Sequence, residues 1–461
     1  MSATSAPKSK SAKGGDARTL PPTTFKPQPY KGPSREQVLA DRQRYLTPGL
    51  ITYYKNPLCL VEGHMQWLFD EKGLRYLDMF AGIVSVSCGH GHPKITKRVM
   101  EQVAKLQHAT TIYMNPNPGE LAKKLAAKLP AGLEVAYFTN SGSEANDLAI
   151  MMARLFTGNR DVVSLRNGYH GASGITMNLT AHSTWKYTAQ AGERTFHAAA
   201  PDPYRSLFSG TPDEVAKKSV EDLRDLIRFS TPGKIAAFIA EPIQGVGGIT
   251  SGAKDYLKGA YALVKESGGL CIADEVQTGF GRTGEHFWGF ENFGVTPDIV
   301  TMAKSLGNGA PIAAVITRKE IAETMKQKLH VNTFGGNPVS TAAGLAVMDV
   351  LEEDKLQQNA KVVGEHFKKE MEKLQKKHKL IGDVRGMGLM LGMELVKNRE
   401  TKEPAKDECA ALHEGLKDRQ VLVGKGGLFG NVLRIQPPMC ITKEDVDYTV
   451  WAMDEVIGGI S

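Results

Sequence analysis

A chain of 461 residues, 41% hydrophobic and 23% charged, holds enough apolar material for a large core and about two to three domains. Seven basic residues against two acidic ones through Glu36 put most of the formal charge of +7 at one end. The near-neutral remainder argues against a nucleic-acid-binding face. No apolar run reaches the roughly 18 residues of a membrane span, and five cysteines without C-x-x-C spacing fit free thiols in a reducing compartment.

Residues 1–19 are Ser, Ala, Lys and Gly with almost no large apolar side chain, a composition that predicts a disordered tail. The tail is acid-poor and Ser-rich like a transit peptide but lacks an apolar helical face. Residues 20–85 read as the N-terminal part of a small domain, with strands near Met65–Phe69 and Leu74–Phe80 joined by a turn at Asp70–Gly73. Cys88, His90 and His92 alternate in a Gly-rich run. No fourth ligand lies near them, so the run is expected to be a turn and no metal is expected.

Residues 86–340 read as a large domain. Glu134–Phe138 is a predicted strand, and Thr139-Asn-Ser141-Gly142-Ser143-Glu-Ala-Asn146 opens a helix to about Phe156. Small residues at such a turn leave backbone N–H groups at a positive helix end, which suits a phosphate; taken alone, a plain capping turn stays open. Asp161–Leu165 is a second strand, followed by Asn167-Gly-Tyr169-His170-Gly. Ile235–Ala240 is a third, ending in Glu241-Pro-Ile-Gln-Gly, and the glycines after it lack the dinucleotide-binding spacing. A helix over 254–267, stopped by Gly268-Gly269, leads into the apolar run Leu270–Ala273, completing a right-handed βαβ unit of a doubly wound sheet.

Two short apolar runs then deliver chemistry at their carboxyl ends: Leu270–Ala273 delivers Asp274, and Asp298–Met302 delivers Lys304. In open α/β sheets the ligand crevice lies beyond those ends. An amine and a carboxylate facing one small molecule there suit pyridoxal phosphate, whose aldehyde forms a Schiff base with lysine and whose ring nitrogen is kept protonated by an acid. Singly, Asp274 as a strand cap and Lys304 as a solvated lysine would be the ordinary readings. Pro311–Thr317 is one further strand. Residues 341–461 read as a C-terminal small domain, with a helix from about Ala342 running into Lys-rich amphipathic periodicity, then Val384–Leu389 and Val432–Pro438.

Ala273-Asp-Glu-Val-Gln-Thr-Gly-Phe-Gly-Arg-Thr-Gly, with Pro297-Asp-Ile-Val-Thr-Met-Ala-Lys304, resembles the signature of class III pyridoxal-phosphate-dependent aminotransferases, and the likeness runs from about Leu20 to the C-terminus. Within the class, the segment through Tyr54–Leu58 looks most like the alanine–glyoxylate type. The resemblance implies the fold-type-I architecture: a large, mostly parallel sheet flanked by helices, with a small α+β domain built from both termini. It implies Lys304 as Schiff-base lysine and proton carrier, Asp274 on the ring nitrogen, Ser141, Gly142 and Ser143 at the phosphate, Tyr169 and Val276 on opposite ring faces, and His170 and Gln277 beside the ring. Thr333 would reach the phosphate of a partner subunit's cofactor, making a homodimer, or a tetramer of such dimers, the working unit. Arg434 would clamp the substrate carboxylate, because a guanidinium fork matches two carboxylate oxygens. Glu241 would pair with Arg434 for one half-reaction and release it for the other. Ile83 stands where ornithine-type members place a tyrosine, which suits a small donor such as L-alanine or 3-aminoisobutyrate, with glyoxylate or pyruvate as acceptor. A 4-aminobutyrate or other ω-amino acid transaminase is the alternative, and mitochondrial residence is the expected location.

Overall fold

A computed structural model describes residues 19–187 and 194–460. Except for Thr19, the predicted tail lies outside them. Three sheets organise the chain. The largest has seven strands in the order Val135–Thr139, Ala313–Thr317, Ile299–Met302, Leu270–Asp274, Ala237–Ala240, Val162–Leu165 and Thr195–Ala198. Its pairings from Ile299–Met302 through Thr195–Ala198 are all parallel. These strands are near-continuous apolar runs because helices cover both faces.

Ala313–Thr317 runs against both of its neighbours. The link from Met302 to Ala313 holds one short 3-10 turn, Lys304–Gly307, which is too little chain for a crossover helix, so the strand must return antiparallel. That tight return places Lys304 at the strand end rather than within a helix.

A four-stranded sheet joins Leu60–His64, Trp67–Asp70 and Arg75–Asp78 to Val421–Leu422. The expected hairpin is present, with Trp67 opposite Leu77. Because the fourth strand comes from near the other end of the chain, both termini build one small domain. A third sheet orders Ile381–Met387, Met390–Leu395, Val432–Ile435 and Gly424–Gly426, all antiparallel. One continuous apolar core runs from Trp67 and Leu77 through Val300 and Met302 to Leu391 and Leu433.

Arg282, fully buried, stitches these parts together: Nη1 donates to the carbonyls of Leu389 (3.0 Å) and Pro437 (2.9 Å), and Nη2 to Ser87 Oγ (2.9 Å). The expected turn at Cys88–His92 is a turn whose histidines are engaged elsewhere, His90 Nε2 with Asp78 (2.7 Å) and His92 Nε2 with Asp354 (3.0 Å). Among the described residues no helix is long and apolar enough to cross a membrane.

Candidate active site

The carboxyl ends of the parallel strands converge on one cleft. Asp274 closes its strand, is almost fully buried, and is held on both oxygens. Its Oδ2 accepts from Asn146 Nδ2 and from His170 Nδ1, both at 2.8 Å, and its Oδ1 accepts from the Val276 backbone N–H at 3.1 Å. A carboxylate so fixed stays aimed into the cleft.

Lys304 follows the next strand with φ of +45°, in the left-handed region that a side chain disfavours. Its amine has no hydrogen-bond or ion-pair partner among the described residues. Burial pulls its pKa from 10.5 down to about 8; Asp274 and Glu241 oppose that shift and Arg434 adds to it. These four groups therefore share one electrostatic site. An unpartnered amine whose neutral form is accessible near neutral pH is a nucleophile toward an aldehyde.

The helix Gly142–Thr157 starts at the same cleft. Ser141, expected at the phosphate, is the helix cap, its hydroxyl accepting from Glu144 N at 3.2 Å. Ser143 Oγ is likewise turned to Ala172 N, 3.2 Å away. Each hydroxyl accepts there and keeps its own O–H to donate, so both can join the backbone N–H groups of Gly142 and Ser143, which have no acceptor inside a helix, as donors toward an anion. A Cβ on Gly142 would lie 3.1 Å from both Val276 methyls and 3.7 Å from Ala303 Cβ. Glycine here lets the helix end pack against the residues that follow Asp274 and precede Lys304. Free N–H groups, the Asp274 carboxylate and the Lys304 amine are thereby brought to one small space, a set that fits the phosphate, ring nitrogen and aldehyde of pyridoxal phosphate.

Tyr169 sits at the rim, its backbone N–H donating to Glu241 Oε1 (3.0 Å) and its ring edge-on to Trp185 at 5.4 Å. Glu241 Oε2 accepts from Gly245 N (2.8 Å) and, more distantly, from Gln277 Nε2 (3.5 Å). Burial raises the Glu241 pKa; His170 opposes the shift and Asp274 adds to it.

The anticipated Glu241–Arg434 pair is not the arrangement found. Arg434 Nη2 donates to Gln277 Oε1 (2.9 Å) and Gln436 Oε1 (3.0 Å), so the Gln277 amide lies between the two charges. The reason is geometric: two backbone donors hold Glu241 on the large sheet, while Arg434 projects from the small-domain strand. Ile83 is more than half exposed, on a turn after Phe80. Thr333 is exposed on the single chain beside Asn332, which is bonded to Asn140 and Glu144 at the start of the Gly142 helix.

Asn146, Gln436 and Trp185 are additions that sequence reasoning did not supply. Asn146 could have been found from spacing, since it lies one helical turn beyond Gly142 and shares its face.

The family profile "Aminotransferase class-III" matches residues 52–457. Alanine–glyoxylate aminotransferase 2 homolog 2, mitochondrial, of Arabidopsis thaliana is 52% identical over 435 residues, covering 94% of this chain and 90% of that protein. The mitochondrial alanine–glyoxylate aminotransferase 2 of Homo sapiens is 44% identical over 451 residues, covering 94% and 88%. The solved structure of an (S)-enantioselective omega-transaminase from Thermomicrobium roseum superposes with a TM-score of 0.86 at 32% identity, covering 94% of this chain and 100% of that one. With the strand-end lysine and acid, the free helix-end N–H groups and these likenesses together, the chain belongs to the class III aminotransferases, enzymes that use pyridoxal 5′-phosphate.

Proposed function

We propose that this aminotransferase moves the amino group of L-alanine to glyoxylate, with 3-aminoisobutyrate as a further donor and pyruvate as a further acceptor. The observation that carries the reading is the unpartnered Lys304 amine, which feels the charges of Asp274 and the buried Arg434. When bound, pyridoxal phosphate supplies the aldehyde that takes the amino group and a ring that accepts electrons from the substrate Cα.

The chain's residues do the rest. Lys304 Nζ holds the cofactor at rest and, once displaced, carries the proton from the substrate Cα. Asp274, held in place by its donors Asn146 and His170, holds a proton on the ring nitrogen. The N–H groups of Gly142 and Ser143 bind the phosphate, and Val276 and Tyr169 bracket the ring. Arg434 receives the carboxylate common to every amino and oxo acid the reaction passes through. Gln277, bonded to Arg434 and in reach of Glu241, lets those two charges stand close without collapsing into an ion pair.

The proposal includes a homodimer. Ile112, Tyr113 and Met114 are three consecutive exposed apolar side chains, and the His108–Phe334 ring contact at 5.3 Å joins them to exposed Leu329, Val331 and Phe334. An apolar face of this kind fits burial against a second copy, with Thr333 carried toward the partner's phosphate. Mitochondrial residence rests on the two relatives, both mitochondrial enzymes by name.

The test is a half-reaction without acceptor, followed by cofactor absorbance, with L-alanine, 3-aminoisobutyrate, 4-aminobutyrate and ornithine offered separately. Conversion by L-alanine and reversal by glyoxylate is expected. Conversion by 4-aminobutyrate or ornithine alone would overturn the substrate assignment and leave the chemistry intact.

A further inference from the structure

Arg434 rests on an aromatic support that the cofactor site does not itself require. Its guanidinium carbon lies 5.2 Å from the centroid of the Phe80 ring. Phe80 in turn stacks on Tyr53, with centroids 5.9 Å apart and planes 5° from parallel. The Tyr53 hydroxyl accepts from Lys425 N (2.6 Å) and donates to Lys425 O (3.0 Å), which ties the stack to the strand Gly424–Gly426. That strand pairs with the one carrying Arg434, Gly424 opposite Arg434 itself. Both of its glycines clear space: a Cβ on Gly424 would lie 2.3 Å from Phe80 Cε2, and one on Gly426 would lie 2.6 Å from Arg434 Cδ.

The chain leaves Phe80 through an uncommon backbone. Ala81, Gly82, Ile83 and Val84 have φ of +50°, +57°, +62° and +64°, a left-handed turn in which three of four residues carry a side chain. Each such residue is disfavoured by about 1–2 kcal/mol. Asp78 holds the turn: its Oδ1 accepts from the N–H groups of Phe80 and Ala81, both at 2.8 Å, and its Oδ2 pairs with His90 Nε2 at 2.7 Å. Strain of this size persists where the surroundings fix it and clusters at functional sites. Here the turn fixes Phe80 beneath Arg434 and sends Ile83 outward.

We infer that Phe80, backed by Tyr53, is a positioning residue for carboxylate recognition: its ring face holds the plane of the Arg434 guanidinium so that the Nη1 edge stays open to the substrate. The inference rests on the reading of Arg434 as the carboxylate clamp. Nη2 is occupied by Gln277 and Gln436 and Nε is buried without a partner, while Nη1 makes no hydrogen bond among the described residues and is not buried like Nε, so it is the edge the cleft can reach. A cation over an aromatic face is held across its plane and remains free at its edges, the orientation in which the Nη1 hydrogens meet a carboxylate in the guanidinium plane. With the ring removed, the guanidinium is free to tilt toward Glu241, and the substrate carboxylate meets a clamp already engaged.

The holoenzyme tests this with L-alanine half-reactions and with propionate, an unreactive carboxylate, as competitor. Phe80→Leu is expected to raise the half-saturating concentration of L-alanine and the inhibition constant of propionate together, by roughly 3- to 30-fold as a cation–π contact of ordinary strength implies. The limiting rate and the absorbance of bound cofactor stay close to the parent's, and Phe80→Tyr restores both constants. Should Phe80→Leu fold poorly, site-specific trifluorophenylalanine at position 80 keeps the shape, removes the negative ring face and is expected to weaken both ligands in the same direction. Arg434→Gln separates the two claims. If it weakens L-alanine and propionate while neither change at Phe80 does, the aromatic support is refuted and the clamp stands; if Arg434→Gln weakens neither, the clamp reading falls and the inference with it. A fall in limiting rate and cofactor retention with unchanged half-saturation would show Phe80 to be merely structural and would also overturn the inference.

Discussion

Lys304 and Lys417 are both drawn out of solvent, and they have opposite chemistry. Lys417, 8% exposed, lies 2.9 Å from Glu414 and 3.4 Å from Asp418, with its ammonium over the Tyr54 ring at 5.5 Å. Burial alone would lower its pKa, but the two carboxylates more than reverse that and raise it. Lys304 has acids nearby and none in contact, so burial wins and its pKa falls to about 8. Burial without a contacting partner turns a lysine into a nucleophile; the same loss of solvent with two carboxylates in contact does not.

The comparison is broken most severely at Lys304 itself. Lys304→Ala is expected to lower kcat by at least about 10⁴-fold, since it removes both the covalent anchor and the proton carrier. Pyridoxal phosphate stays bound noncovalently through Gly142, Ser143 and Asp274, which retention of absorbance through gel filtration checks. Next in size is Asp274→Asn, expected to cost on the order of 10²- to 10³-fold in kcat as the ring nitrogen loses its counter-charge. Asn146→Ala, which removes one donor to Asp274, is expected to cost about tenfold.

The pH dependence sharpens the contrast. Because the Lys304 pKa is lowered from 10.5 to about 8, its neutral amine gains population as pH rises through about 8. Uptake of pyridoxal phosphate by cofactor-free protein, followed by absorbance, should accelerate through that range. For stability the sign is the same: the folded amine releases its proton below the unfolded pKa, so its destabilising effect, complete below about pH 8, is relieved between about 8 and 10.5. Lys417→Met is the smallest change, expected to leave kcat within about twofold and to lower stability by about 1 kcal/mol, read from denaturant midpoints.

What the sequence disclosed follows from the same physics. Asp274 and Lys304 were legible because each ends a short apolar run, and strand ends of a parallel sheet point one way. The turn at Ser141–Ser143 was legible as a helix start but not in its contacts: Ser141 Oγ accepts from Glu144 N and Ser143 Oγ from Ala172 N, the second a contact across 29 residues. The Gln277–Arg434 bond spans 157 residues and the His170–Asp274 bond 104, contacts that no local pattern reports. The left-handed turn was invisible for a different reason. Ile83 and Val84 are β-branched residues that ordinarily argue against positive φ, so local propensity pointed away from the conformation that Asp78 imposes.

The most direct test of the central claim is borohydride reduction of the holoenzyme followed by peptide mass mapping. Reduction fixes the cofactor to the amine that holds it, and the account predicts one modified peptide, carrying the cofactor on Lys304. A label on Lys417 or any other lysine, or no label on a protein that turns over L-alanine, would contradict it.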